Sequence, residues 1–246
     1  FLGYKDLEQT INVAAIDSKF DLENPDSDIS NNSYLGKIIL HQPNYLFNYS
    51  NIGYQSYLVD SYGLDMMYKL YFDMYRLGQV RDQIGETEPI IRQADMLSFD
   101  ISSVKHSDAP AQPHAQPNGF YAEEVCQMFR YAGMNDRMSS IGIYEINPRF
   151  DKSGKTAHLA AQMIWCFIDG YYNRKNDFPS RDNPDYIKFH LVLQDQKYEI
   201  NFYKSKKSDR WWMEIPYPPH KNARFERHTL IPCSYKDYTM ATNNEI

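Results

Sequence analysis

Two stretches gather acidic residues at the end of an apolar run, Asp17-Ser-Lys-Phe-Asp21 and Ser98-Phe-Asp-Ile-Ser102. In an extended segment alternate side chains share a face, so Asp17, Lys19 and Asp21 point to one spot, and Asp100 points with Ser102. With His at 19 and Asp at 102, these would be the oxygen and imidazole donors of a divalent metal site. As written, the chain keeps three carboxylates and sets an ammonium among them. The bland alternative is that Lys19 faces solvent and the aspartates cap loops.

Other chemistry-bearing residues carry less. His41, at the end of an apolar run, and His106 and His114, in a proline-containing loop, read as surface histidines. Asp151 with Thr156 reads as a helix start. Neither a nucleophile-elbow GxSxG nor a phosphate-cradling glycine loop is present. Cys126, Cys166 and Cys233 are odd in number and lack CxxC spacing, which excludes a zinc knuckle or disulfide framework and suits a reducing, cytoplasmic compartment. Cys126 and Cys166 fall on apolar helix faces and are expected in the core.

The elements that must position the acids alternate between strands and helices. Ile11–Ile16, Lys37–Leu40, Asn51–Val59, Ala94–Phe99 and Ser140–Glu145 read as strands. Tyr62–Leu77, stopping at Gly78, Tyr121–Ala132, stopping at Gly133, and Lys155–Tyr172 have helical spacing. Glu23–Ser33 has loop chemistry. Acidic residues at strand ends, with helices between the strands, predict a mainly parallel sheet with its site at the carboxyl edge. Beyond Asn173 the character changes: Tyr186–Leu193 and Lys197–Tyr203 alternate as a hairpin around Gln194-Asp-Gln. Trp211, Trp212 and Tyr217 follow among Pro216, Pro218 and Pro219, which exclude regular structure there.

Composition bounds the function. The 246 residues are 42% hydrophobic, enough for a full core, and the net charge of −6 leaves no basic footprint for nucleic acid or a membrane surface. Lys204–Lys207 is a short basic run at a turn, and no apolar run is long enough to span a bilayer.

Taken with Ala109-Pro110, Pro117-Asn-Gly-Phe120 and Glu145-Ile-Asn-Pro-Arg-Phe-Asp151 followed by Thr156-Ala157, the two acidic motifs resemble the ureohydrolase family of arginase, agmatinase and formimidoylglutamase. In that family the motifs read approximately D-A-H-A-D, S-F-D-x-D with A-P-G and P-G-G-L, and E-V-N-P-x-x-D-x4-T-A. The resemblance runs from about Asn12 to Tyr172. It implies a three-layer α/β/α fold with two manganese ions at the carboxyl edge, activating a water that attacks a guanidinium or formimino carbon. Asp17, Asp21 and Asp100 match metal-binding aspartates, and Glu145 matches the catalytic-site carboxylate that pairs with the substrate's cationic group. Lys19 and Ser102 stand at substituted ligand positions. A further family ligand, a His in G-G-D-H-S, lies upstream of the first strand.

Those substitutions bear on the metals directly. Two divalent ions confine four positive charges, and a lysine cation about 4 Å from one of them costs several kcal/mol even at an effective dielectric of about 20. The expectation is therefore a three-layer α/β/α domain over residues 1–175 that lacks its N-terminal part, with a β-hairpin extension over 176–246 packed on it. It is a catalytically degenerate homologue with no cofactor, in which Lys19 neutralises the three aspartates. The alternative is an active hydrolase of linear amidines, using Mn2+ in a rearranged site. The expected partners are a second copy or another protein meeting the aromatic-rich C-terminal extension; the resemblance also implies an oligomer.

Overall fold

The computed structural model describes residues 1–22, 30–179, 183–193, 198–215, 229–243 and 245. It divides into two units, Phe1–Asn173 and Arg174–Ile246. In the first, β1 (Ile11–Ile16), β2 (Leu46–Tyr54), β3 (Asp73–Arg76), β4 (Met96–Asp100) and β5 (Ser140–Tyr144) form one sheet in the order β3-β2-β1-β4-β5. Every pairing in it is parallel. The central strand β1, Ile-Asn-Val-Ala-Ala-Ile, is buried throughout, as a strand covered on both faces must be.

Its alternation sorts the two cores. Ala14 and Ile16 face one, with Val80 of α4 (Leu77–Asp82), Ile91 of α5 (Thr87–Gln93), Met128 of α6 (Ala122–Met134) and Met163 of α7 (Lys155–Tyr172). Val13 and Ala15 face the other, with Leu35 of α2 (Tyr34–Leu40) and Met67 of α3 (Ser61–Lys69). Helices on both faces of a parallel sheet make the three-layer α/β/α architecture. Between α6 and α7 the backbones touch: a Cβ on Gly133 would overlap the Phe167 carbonyl, and one on Gly170 would overlap the Arg130 carbonyl. Gly133 therefore lies inside a helix contact and does not end α6.

Three expected elements differ. Lys37–Leu40 belongs to helix α2, not to a strand: with Leu35 buried and Ile38 and Ile39 packed on the same cluster, the short apolar run has helical spacing that four residues could not reveal. The second strand lies earlier, over Leu46–Tyr54. The long helix expected over Tyr62–Leu77 ends at Lys69, and Tyr71 takes a left-handed conformation (φ 56°). The chain then extends as β3, sending Met74 to one core and Tyr75 to the other, and α4 follows with Gly78 inside it. Cys126 and Cys166 are half-buried and Cys233 is buried. Burial, with Cys166 beside it, pushes the Cys126 thiol up to about 12.

In the second unit β6 (Tyr186–Leu193), β7 (Tyr198–Ser205), β8 (Trp211–Glu214) and β9 (Leu230–Cys233) form an antiparallel sheet in that order. The expected hairpin is thus its first half, and Trp211 and Trp212 are strand residues on opposite faces. Trp211 stacks at 4.7 Å on Tyr238 of α8 (Tyr235–Thr242) and at 5.0 Å on Phe189. Gln194–Gln196, Pro216–Pro219 and residues 23–29 lie outside the described residues. No helix among the described residues is long and apolar enough to cross a membrane.

Candidate functional site

Parallel neighbours end together. Ile16 of β1 is level with Phe99 of β4, and Asp100 of β4 with Tyr144 of β5, so the residues just beyond deliver Asp17, Asp100 and Glu145 to one edge. Carboxylate oxygens of Asp17, Asp21 and Asp100 all lie within 4.8 Å of one another. Asp21 (φ 51°) and Glu145 (φ 65°) both adopt left-handed backbone, a conformation that costs about 1–2 kcal/mol away from glycine. Such cost at two of four converging acids is what a positioned site shows.

Two of the acids are tied to their own loops. Asp17 Oδ1 accepts from the Lys19 backbone N–H at 3.0 Å, and Asp100 Oδ1 accepts from that of Ser102 at 2.6 Å. The Ser102 hydroxyl meets Ser18 at 3.2 Å. The Lys19 side chain lines the cavity, yet among the described residues its ammonium makes no hydrogen bond and no ion pair within 4.0 Å. Its charge reaches Asp21 and Asp100 through space, lowering both.

Burial dominates the titration of the cluster. It holds Asp17 well above the usual carboxylate range, with Asp21 and Asp100 adding repulsion. Burial pushes Asp21 up to about 6, against the lowering effect of its hydrogen bond to Asp17. Asp100 is also raised, chiefly by burial, against its hydrogen bonds to Ser102. Each follows from withdrawing negative charge from water among like charges.

The acids open into a cavity of about 330 Å³. Asp17, Lys19, Asp21, Asp100, Ser102 and Glu145 all line it, so the structure brings every singled-out site residue together. It adds walls that sequence reasoning missed: Asn31 and Asn32 before α2, Leu58 after β2, and Gln112 and Gln116 in the loop after β4. His114, read as a surface residue, is exposed and also lines this cavity, whereas His106 and His41 do not. The signal for Gln112 and Gln116 was their loop, which leaves β4 at Asp100 and so stays near its end.

The rest of the third motif braces the loop that carries Gln112. Asp151 accepts from the backbone N–H groups of Thr156 at 3.2 Å and Ala157 at 2.9 Å, starting α7. The buried Thr156 hydroxyl accepts from Ala111 N–H at 3.0 Å, and Asn147 N–H donates to the Ala111 carbonyl at 2.7 Å. These bonds hold the Gln112 loop against α7.

The Arginase family profile matches residues 3–169. The chain belongs to the arginase family. Formimidoylglutamase of Staphylococcus haemolyticus is 30% identical over 91 residues, covering 36% of this chain and 28% of that protein. Formiminoglutamase of Trypanosoma cruzi, solved with Mn2+, aligns with TM-score 0.64 at 19% identity, over 70% of this chain and 60% of that one. Formimidoylglutamase of Bacillus subtilis gives TM-score 0.63 at 18% identity, over 70% of this chain and 56% of that one. This arginase-family chain thus matches a little under a third of the curated relative's length, and a little over half of each solved structure.

The donor set decides what ion the site suits. Three clustered carboxylates can close on one hard divalent cation. Two such ions require more anionic oxygen, and imidazole besides, where this arginase-family site has the Lys19 ammonium and the Ser102 hydroxyl. The residues present do not fit a binuclear centre.

Proposed function

We propose that this arginase-family chain keeps the ureohydrolase fold without the two-manganese centre and does not hydrolyse amidines. One observation carries the reading: a cation and a neutral hydroxyl sit in the same cavity as the three clustered carboxylates, at the two ligand positions. Two divalent ions would add four positive charges to the one already there, against three clustered carboxylates and Glu145. What the cavity keeps, acid and amide walls around about 330 Å³, suits holding a small cation without bond cleavage.

Elemental analysis after manganese loading and gel filtration tests this. The 246-residue chain is expected to retain fewer than two manganese ions and to leave arginine, agmatine and formiminoglutamate intact. The Lys19→His, Ser102→Asp double variant is expected to retain more metal than the unmodified chain. Two ions held per unmodified chain, or turnover by it, would overturn the reading.

A further inference from the structure

Helices α6 and α7 follow the parallel strands β4 and β5 and pack on the same face of the sheet, so they run side by side in one direction. Their closest approach pairs Gly170 with the Arg130 carbonyl. One helical turn toward the amino end of each, about four residues back, the side chains on the same faces are again neighbours. Four before Arg130 is Cys126, and four before Gly170 is Cys166. The fold thus sets two cysteines across one seam, although forty positions separate them in the chain.

Their surroundings agree with that placement. Both are half-buried and pack on the core between the helices and the sheet. The two thiols are hydrogen-bonding neighbours. A disulfide requires Cα atoms within about 7 Å of each other, and helices whose backbones touch one turn away provide that closeness. Cys233 lies in the other unit, so the three cysteines resolve into one pair and one single thiol.

We propose that Cys126 and Cys166 are a dithiol that a peroxide closes to a disulfide bridging α6 and α7. One sulfur gives up its proton and attacks a peroxide oxygen; the O–O bond breaks, leaving a sulfenic acid and one water. The second sulfur then attacks the sulfenic sulfur, the S–S bond forms, and the hydroxyl leaves with the second thiol's proton as another water. The two sulfurs together lose two electrons, which the peroxide gains. Burial and the neighbouring Cys166 push the Cys126 thiol up to about 12, which holds it protonated and suits it to the second step. Cys166 is then the sulfur that meets the oxidant. Peroxide is small enough to reach a half-buried sulfur, so neither thiol needs an open surface. Nothing in this inference involves the acidic cavity.

Peroxide treatment of the 246-residue chain at neutral pH, followed by peptide mapping without reductant, tests it. The expected product has lost two hydrogens, carries a Cys126–Cys166 link and regains both thiols with dithiothreitol. A Cys233→Ser chain is expected to form the same link. In Cys126→Ser, Cys166 is expected to stop at the sulfenic acid and to be captured by dimedone. Unfolding in urea before the peroxide should lower the yield of the link by tenfold or more, because the fold and not the chain brings the sulfurs together. Thiols that survive the peroxide, separate oxidation of each cysteine to sulfinic acid without a link, or a link formed equally well in urea would overturn the proposal. So would a Cys126→Ser chain whose Cys166 yields no dimedone adduct.

Discussion

The segment Glu145–Thr156 keeps its family pattern almost throughout, whereas Asp17–Asp21 and Asp100–Ser102 keep theirs only in part, although all three line or wall one cavity. The hydrogen bonds explain the difference. Asn147, Asp151 and Thr156 each hold backbone in place: Asn147 accepts from Arg149 N–H at 3.1 Å, Asp151 starts α7, and Thr156 satisfies the buried Ala111 N–H. Asp17 and Asp100, which persist in the altered motifs, also accept backbone N–H groups. At positions 19 and 102, by contrast, the side chains hold no backbone, since the ammonium is unpaired among the described residues and the hydroxyl meets only the side chains of Ser18 and Asp100. Residues with an architectural duty match the family pattern here, and the mismatches fall at side chains that hold no backbone.

The sharpest way to break this comparison is pH. Asp21 has a folded pKa of about 6 against an unfolded value near 3.9, so between these the folded state binds more protons. Stability is therefore fullest below about pH 4 and falls by about 3 kcal/mol as pH rises through 6; the raised Asp17 and Asp100 act in the same direction. Urea unfolding between pH 4 and 7 measures it. A flat profile would mean that the carboxylates are neutralised in place, returning to Lys19 the counter-ion role expected from the sequence.

Next in size is Thr156→Val, which leaves the buried Ala111 N–H without its acceptor and is expected to cost about 2 kcal/mol by the same denaturant measurement. A loss below a few tenths would remove the architectural account of the third motif. Smallest is Ser102→Ala: its hydroxyl meets the Ser18 hydroxyl and the Asp100 carboxylate, while its backbone N–H still caps Asp100, so stability should change by less than about 0.5 kcal/mol. A larger loss would show that position 102 does carry structure.

The sheet and its acidic edge were legible because β1, β4 and β5 are apolar runs that end on Asp17, Asp100 and Glu145, a pattern carried by contiguous residues. Helix α7 was legible to both ends, its 18 residues giving several turns of period. Its outer face was not: Ile164 and Ile168 belong to the same periodic pattern as the core, and only packing shows which side stays bare. Strand β3 and helix α2 were misread because their few apolar residues serve either period. The cavity's amide walls escaped because Asn31, Asn32, Gln112 and Gln116 come from loops, where no periodicity announces direction.

The glycine contact between α6 and α7 sets a tolerance for the site. Helix α6 joins β4 to β5, and α7 follows β5, so Asp100 leads toward one and Glu145 toward the other of the two helices that this seam clamps. Backbone touching backbone leaves no side-chain layer to absorb a displacement. The spacing of two cavity acids is thereby gauged by Gly133 and Gly170, residues that line no part of the cavity.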